Sequence, residues 1–283
     1  MTDTAHTEFR RLVLDLCAIT TDGDVMRMAA DLARLLHLDL QGLYVEDPAL
    51  ALLAGLPCVR ELRLPGQGWE KLDADRITAE VQQAVARAAL RLAEIAAAAG
   101  VSSGFETRRG NAMEIIAGFA PSDIVLLVEP RLAGDRMGGE FTARCRAAYH
   151  SCASVLLMPA VAPRAHGAVV AVVSSTEEAG FTAAAHIARI SGEELVLLVS
   201  GALTPTQARE RALECGLRAT HVRLRPLPAP DTAGIARALA GLHPRLLVLT
   251  RGSTLGEDFG FLLRLAGERG VPVLAVEPPH QAH

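Results

Sequence analysis

The chain has 283 residues, of which half are apolar, 21% are charged and 4% are aromatic, and its formal net charge is −4. That length suits about two domains, and the composition is that of a globular protein with an aliphatic core rather than of a disordered chain. A negative balance with scattered arginines removes the electrostatic case for nucleic acid, and no apolar run is long enough to cross a bilayer.

Met1 to Arg10 is polar and lacks the apolar centre of a signal peptide, so a cytoplasmic location is expected. Arg11 to Ala18 (RLVLDLCA) reads as a first strand. From Asp24 to Leu36 apolar residues recur at helical spacing, with Asp22 or Asp24 available as N-cap. Leu40 to Val45 is a second strand. Asp47 to Leu64 then breaks the pattern. Pro48 can start a helix, Ala49 to Leu56 is almost wholly apolar, and Gly55 and Pro57 stop it. Such a segment is either a contact surface or a cover over its own domain, and Trp69 is expected to anchor the loop that follows.

Ile77 to Ala99 is a long Ala-rich helix ending at Gly100. Gly104 to Arg108, Ile124 to Val128 and Ser154 to Met158 complete a set of five strands, with helices at Ala112 to Phe119 and Thr142 to His150. The second half repeats the scheme. Its strands are Ala168 to Val173, Leu195 to Val199, Thr220 to Leu224, Leu246 to Thr250 and Val271 to Val276. Helices lie near Phe181 to Ile190, Pro205 to Cys215, Thr232 to Leu242 and Phe259 to Glu268. Runs such as DIVLLV and RLLVLT mark strands buried on both faces, and their alternation with helices predicts parallel, doubly wound sheets.

The halves also match residue by residue. Ala33-Arg34 falls on Ala188-Arg189, AGFAPSDIVLL (Ala117 to Leu127) on AGLHPRLLVLT (Ala240 to Thr250), and Val155-Leu156 on Val273-Leu274. Three matches in one order indicate an internal repeat, with extra residues in the first copy. The expected fold class is therefore α/β, two tandem doubly wound parallel five-stranded sheets of Rossmann-like type. Residues 1–160 form the first domain, with an insertion at about 47–76, and residues 167–283 the second. Pro159 to His166 is the linker.

The segment GNAMEIIAGFAPSDIVLLV (Gly110 to Val128) and the terminal strands SVLLMP and PVLAVEP resemble the universal stress protein family. Gly110, Ile115, Ala120 and Asp123 sit in that family's pattern, and so do Pro272-Val273-Leu274 and, with Ser for Pro, Ser154-Val155-Leu156. The resemblance implies the adenine nucleotide alpha hydrolase-like form of that fold and a regulatory, stress-response protein. It also implies an ATP site built from an acidic residue at the end of the first strand and a loop G-x2-G-x9-G-S/T after the fourth, where glycines let backbone N–H groups approach phosphate.

Neither copy has that loop. Glu129 to Cys145 carries Gly134, Gly138 and Gly139, and the Gly-Ser position falls on Phe141-Thr142. The strand-end acid falls on or near Cys17, with Asp15 two residues earlier. In Thr250 to Arg264 the glycines are Gly252, Gly256 and Gly260, and Glu257 and Asp258 would repel a triphosphate. The second strand-end position is Val172. Binding of ATP in the family's standard manner is therefore not expected, and no cofactor is expected. The alternative is a nucleotide- or anion-binding sensor at the strand ends of the second copy, using Ser174, Ser175, Gly252, Ser253, Thr254, Gly256 and Gly260. Against it stands a capping box of Ser174 with Glu177.

Five cysteines, odd in number and widely spaced, suit a reducing compartment. Cys145, His150 and Cys152 do not have the spacing of a zinc site, so no metal is expected. GxSxG, HExxH and Walker A patterns are absent, so no catalytic residues and no enzyme are expected. Expected partners are another protein or a second copy of the chain, with a weak nucleotide or anion as the alternative ligand, and no nucleic acid or membrane span.

Overall fold

The computed structural model describes residues 9–16, 23–46, 48, 52, 56, 59–62, 68–71, 73–130, 139–159, 164, 166–253 and 259–278. The strands are β1 (Arg11–Asp15), β2 (Asp39–Glu46), β3 (Arg60–Leu62), β4 (Trp69–Lys71), β5 (Ser103–Arg109), β6 (Asp123–Val128), β7 (Ser154–Met158), β8 (Ala168–Val173), β9 (Leu195–Val199), β10 (Val222–Pro226), β11 (Pro244–Thr250) and β12 (Val273–Val276). The helices are α1 (Gly23–Leu36), α2 (Ala74–Ala98), α3 (Ala112–Ala117), α4 (Glu140–Tyr149), α5 (Ala179–Ser191), α6 (Pro205–Glu214), α7 (Thr232–Ala238) and α8 (Phe259–Arg269).

Helix starts follow capping chemistry. The Asp73 carboxylate accepts from the Asp75 and Arg76 amides at the head of α2. Thr204 and Gln207 form a reciprocal capping box on α6, with Pro205 inside the first turn. α1 ends in a paired closure: the His37 amide donates to Arg34 O and the Leu38 amide to Ala33 O. His37 there has φ of 56°, the left-handed conformation that a side chain disfavours and glycine accepts. Replacing it with glycine is expected to stabilise the protein by about 1 kcal/mol. Chemical denaturation checks this, and a loss of stability would show that the His37 side chain contributes something else.

Ten strands form one sheet in the order β10-β9-β8-β11-β12-β7-β6-β1-β2-β5. Within residues 11–158 the order from the outer edge is third, second, first, fourth, fifth strand, and the same order holds within residues 168–276. All the pairings within each set are parallel. β7 and β12 pair antiparallel, with Leu156 opposite Leu274, so the two expected five-stranded sheets run on as one.

Side chains alternate between the two sheet faces, which sorts the core into two apolar layers. Leu12, Leu14, Ile124, Leu126, Val169 and Ala171 face α1, α2 and α5. Val13, Val125, Val155, Val170 and Leu247 face α4 and α8. Each layer draws on both sets of strands, and α1 packs against α5, so burial is continuous across the β7–β12 seam.

The insertion contains a hairpin the sequence reading did not foresee, β3 antiparallel to β4. Pro48 and Leu52 are helical, in keeping with the expected helix, and Leu56 at its end is not; residues 49–51 and 53–55, including Leu50 and Leu53, lie outside the described ones. Trp69 does not anchor the loop: it is 64% exposed on β4, and Leu52 and Leu56 are exposed as well. Among the described residues no helix is long and apolar enough to cross a membrane.

Candidate functional site

In an open parallel sheet, ligands bind beyond the carboxyl ends of the strands where the strand order reverses. That point lies between β1 and β6 in the first set and between β8 and β11 in the second. The chain's own charged side chains occupy both places.

In the first crevice, β1 ends at Asp15 rather than running on to Ala18, so Asp15 is the acidic residue at the strand end. Cys17, where that position was expected, lies outside the described residues. The Asp15 side chain is 2% exposed, and the Arg144 guanidinium from α4 donates to both its oxygens at 3.1 Å. Arg144 also donates to Glu140 at 2.9 and 3.3 Å, one turn earlier on the helix. Burial pushes the Asp15 carboxyl above its ordinary range; attraction to Arg144 opposes the rise and repulsion from Glu140 adds to it. Gly139, in the left-handed region at φ of 74°, starts α4 and so sets the helix that delivers Arg144. Phe141, at the expected Gly-Ser position, is buried.

The second crevice is closed differently. Ser174 and Ser175 follow β8, and one carboxylate oxygen of Glu178 accepts from both their amides, at 2.7 and 2.9 Å, and from the Ser174 hydroxyl at 2.5 Å. The other oxygen accepts from the Thr250 hydroxyl at the end of β11. Thr250 accepts in turn from the Gly180 amide at 3.0 Å. A Cβ on Gly180 would lie within 2.7–3.0 Å of Thr250 and the β11 backbone, so only glycine lets α5 start this close to β11. The residue that closes the turn is thus Glu178, at the N-cap of α5. Glu177, expected in that role, instead has its amide on the Ser175 hydroxyl.

The other expected site residues are partly placed. Gly252 is in the left-handed region at φ of 77°, in the turn after β11, and the Ser253 hydroxyl and amide both donate back to Thr250 O. Gly260 lies in the first turn of α8. Thr254 and Gly256 lie outside the described residues. Through Glu178 the fold brings Ser174 and Ser175 to Thr250, which precedes the Gly252 turn. The first and second crevices are chemically opposite at matching register. By strand register Asp15 corresponds to Val172, which is buried in an apolar layer that also holds Leu262 of α8.

A third cluster lies at the seam. Arg251, directly after β11, is 8% exposed. Its guanidinium donates to Tyr149 O at 2.6 Å, Ser151 O at 2.5 Å and Ala153 O at 3.2 Å, pairs with Glu277, and lies 5.4 Å from the centre of the Tyr149 ring. The Glu277 amide donates to the Ser154 hydroxyl at 3.0 Å, which gives a reason for serine at a position where the family pattern has proline. Asp123, from that same pattern, is buried and receives Arg11 at 2.6 and 3.1 Å and the Ala120 amide at 3.0 Å. Asp123 is thus occupied in joining β6 to β1.

Sequence reasoning passed over Arg144, Glu178 and Arg251, and put the strand-end position at Cys17 with Asp15 only nearby. Asp15 was visible once the strand is ended three residues sooner. The Glu140–Arg144 spacing was visible as a helix-surface pair; its burial was not. Among the described residues no group of three or more His, Cys, Asp or Glu is placed to hold a metal ion.

The fold is thus that of a doubly wound α/β protein with a crevice at each of two switch points. Its structural neighbours include a universal stress protein from Archaeoglobus fulgidus DSM 4304, with a TM-score of 0.60 at 14% identity over 98% of this chain and 99% of that one. A second neighbour, described as a universal stress protein from Pseudomonas aeruginosa UCBPP-PA14, has a TM-score of 0.51 at 16% identity over 97% and 95% of the two chains. The chain therefore has the universal stress protein fold. No family model matches it, and no curated protein matches it in sequence.

Proposed function

We propose that this chain is a non-enzymatic regulatory protein of the universal stress type, made of two repeats of one unit (residues 1–160 and 167–283), cytoplasmic, and acting through protein contacts rather than through ATP held in the family's usual manner. The observation that carries this reading is the occupation of both crevices. Arg144 lies on Asp15, where an adenine nucleotide would need an acceptor free of a cation, and Glu178 holds the donors that a phosphate would need. A ligand must break a buried ion pair in one crevice or displace a negative charge in the other. The exposed Leu52, Leu56 and Trp69 of the insertion support the role of contacts.

Calorimetric titration with ATP tests the reading. The expected result is no binding heat at millimolar nucleotide with the wild-type protein. Micromolar binding at either crevice would sink it.

The cluster around Glu178 favours one second reading, an anion sensor at the second crevice. Two consecutive amides and two hydroxyls converge on one carboxylate, and the same donors suit a phosphate oxygen. Under this reading Glu178→Ala frees the donors, and inorganic phosphate then raises the melting temperature of the variant. A ligand at 100 times its dissociation constant adds about 2.7 kcal/mol. An unchanged melting temperature for the variant in millimolar phosphate excludes the sensor.

A further inference from the structure

Pairing of β7 with β12 leaves β5 and β10 as the two ends of the ten-stranded sheet. The direction of their free backbone groups follows from hydrogen bonds already made. Leu40 N donates to Ser102 O and Gly110 N to Glu46 O, so the even-numbered residues of β5 turn their amides and carbonyls to β2. Ser103, Phe105, Thr107 and Arg109 then turn theirs outward, and among the described residues no hydrogen bond reaches those groups. On β10 the Leu227 amide donates to Val199 O, so Val222, Leu224 and Pro226 point outward. Pro226 has no N–H to offer, and β10 is thereby guarded as natural edges are. β5 is seven residues long and has no proline.

Among the described residues no strand or proline covers this edge; an edge of this kind accepts another strand, and the side chains of β5 select which one. Glu106 and Arg108 share a face, where they pair at 2.8 and 3.2 Å, and both are partly exposed. In an antiparallel pair of β5 strands the ladder closes only when outward residues oppose outward residues. Any two-fold axis through a residue of β5 does this, and the axes through Phe105, Glu106, Thr107 and Arg108 differ in the charges they oppose. An axis at Glu106 sets carboxylate against carboxylate, and one at Arg108 sets guanidinium against guanidinium. An axis at Phe105 leaves Glu106 opposite Gly104. An axis at Thr107 sets each Glu106 opposite the Arg108 of the second copy and each Phe105 opposite Arg109. Opposed charges are favourable across a strand pair and like charges are not.

We propose that two copies of this chain associate through antiparallel pairing of their β5 strands about a two-fold axis at Thr107, extending the sheet across the pair. This goes beyond the proposed function and stands on the edge alone, so nucleotide binding at either crevice would not affect it.

Sedimentation of the full chain tests the proposal. Wild type is expected to run at twice the monomer mass. Glu106→Arg should weaken the dimer by about tenfold or more, and Glu106→Arg with Arg108→Glu, which restores opposite charges, should recover it. Thr107→Pro removes one outward N–H and no bond to β2, and should give a monomer with unchanged circular dichroism. Under mild oxidation Thr107→Cys should link to itself, because Cα atoms in a hydrogen-bonded pair lie about 5.5 Å apart, within disulfide reach. Peptide mapping against oxidised wild type separates this link from the native thiols. Monomeric wild type, a dimer indifferent to Glu106→Arg, or self-linkage of Glu106→Cys or Arg108→Cys in place of Thr107→Cys would each overturn the proposal. If Thr107→Pro fails to fold, the charge-reversal pair decides.

Discussion

Asp15→Val alone, or Arg144→Leu alone, is expected to lower the unfolding free energy by about 3–5 kcal/mol, and the two together to return it to the wild-type level or above it. Arg144→Leu leaves the Asp15 carboxylate buried without its cation, and Asp15→Val takes from the Arg144 guanidinium its buried acceptor while Glu140 remains: side-chain exposure is 7% for Arg144 and 2% for Asp15. The double change removes both charges and their desolvation penalty, which in comparable buried pairs is neutral or stabilising by about 1–4 kcal/mol. The protein already holds an uncharged residue at the matching register of its second set of strands, where Val172 of β8 is buried.

The titration of Asp15 adds a second readout. Its folded-state pKa is raised, chiefly by burial. A raised carboxyl pKa means that the folded protein holds the proton more firmly than the unfolded chain does. The contribution of this group is therefore most favourable below the unfolded pKa, and it is lost as pH rises through the folded pKa. The stability advantage of the double variant over wild type should accordingly grow with rising pH over that window and then level off. Urea denaturation across pH measures it. A double variant as unstable as the singles, or an advantage that shrinks as pH rises, would refute this account of the pair.

Arg251→Met is the other large effect, also about 3–5 kcal/mol of destabilisation. It strands Glu277, whose side chain is only 14% exposed, and takes the donor from three carbonyls in the turn between α4 and β7. Adding Glu277→Gln should recover part of the loss, because the remaining group is then uncharged. Arg251 joins the end of β11 to the other set of strands, so its loss also bears on cooperativity. A lower slope of unfolding free energy against urea, alongside a lower midpoint, would show the two sets unfolding less as one. A change below about 1 kcal/mol would mean that the carbonyls find water and the cluster is not needed.

Much of the fold was legible because local pattern carries it. β7, β8 and β9 fall on the residues where apolar runs placed them, and the helices begin and end within a few residues of their caps and glycines. A strand buried on both faces must be apolar throughout, and a helix must show a stripe, whatever else surrounds it. Strand-end chemistry was harder to read. Extending the first strand to Ala18 moved the acidic position off Asp15, and the Ser174 turn looks the same in sequence whether Glu177 or Glu178 closes it. Both errors are one to three residues long, and a side chain one residue along points elsewhere.

Composition and periodicity were thus sufficient for α/β architecture and for the place and order along the chain of most strands and helices, because each depends on residues near one another in the chain. The joining of β7 to β12, the burial of Arg144 on Asp15 129 residues away, and the reach of Arg251 to the turn about 100 residues before it required the folded molecule. A charged residue reads alike on a surface and in a crevice, and its partner is chosen by sheet order and helix placement, which bring together groups that no spacing along the chain connects.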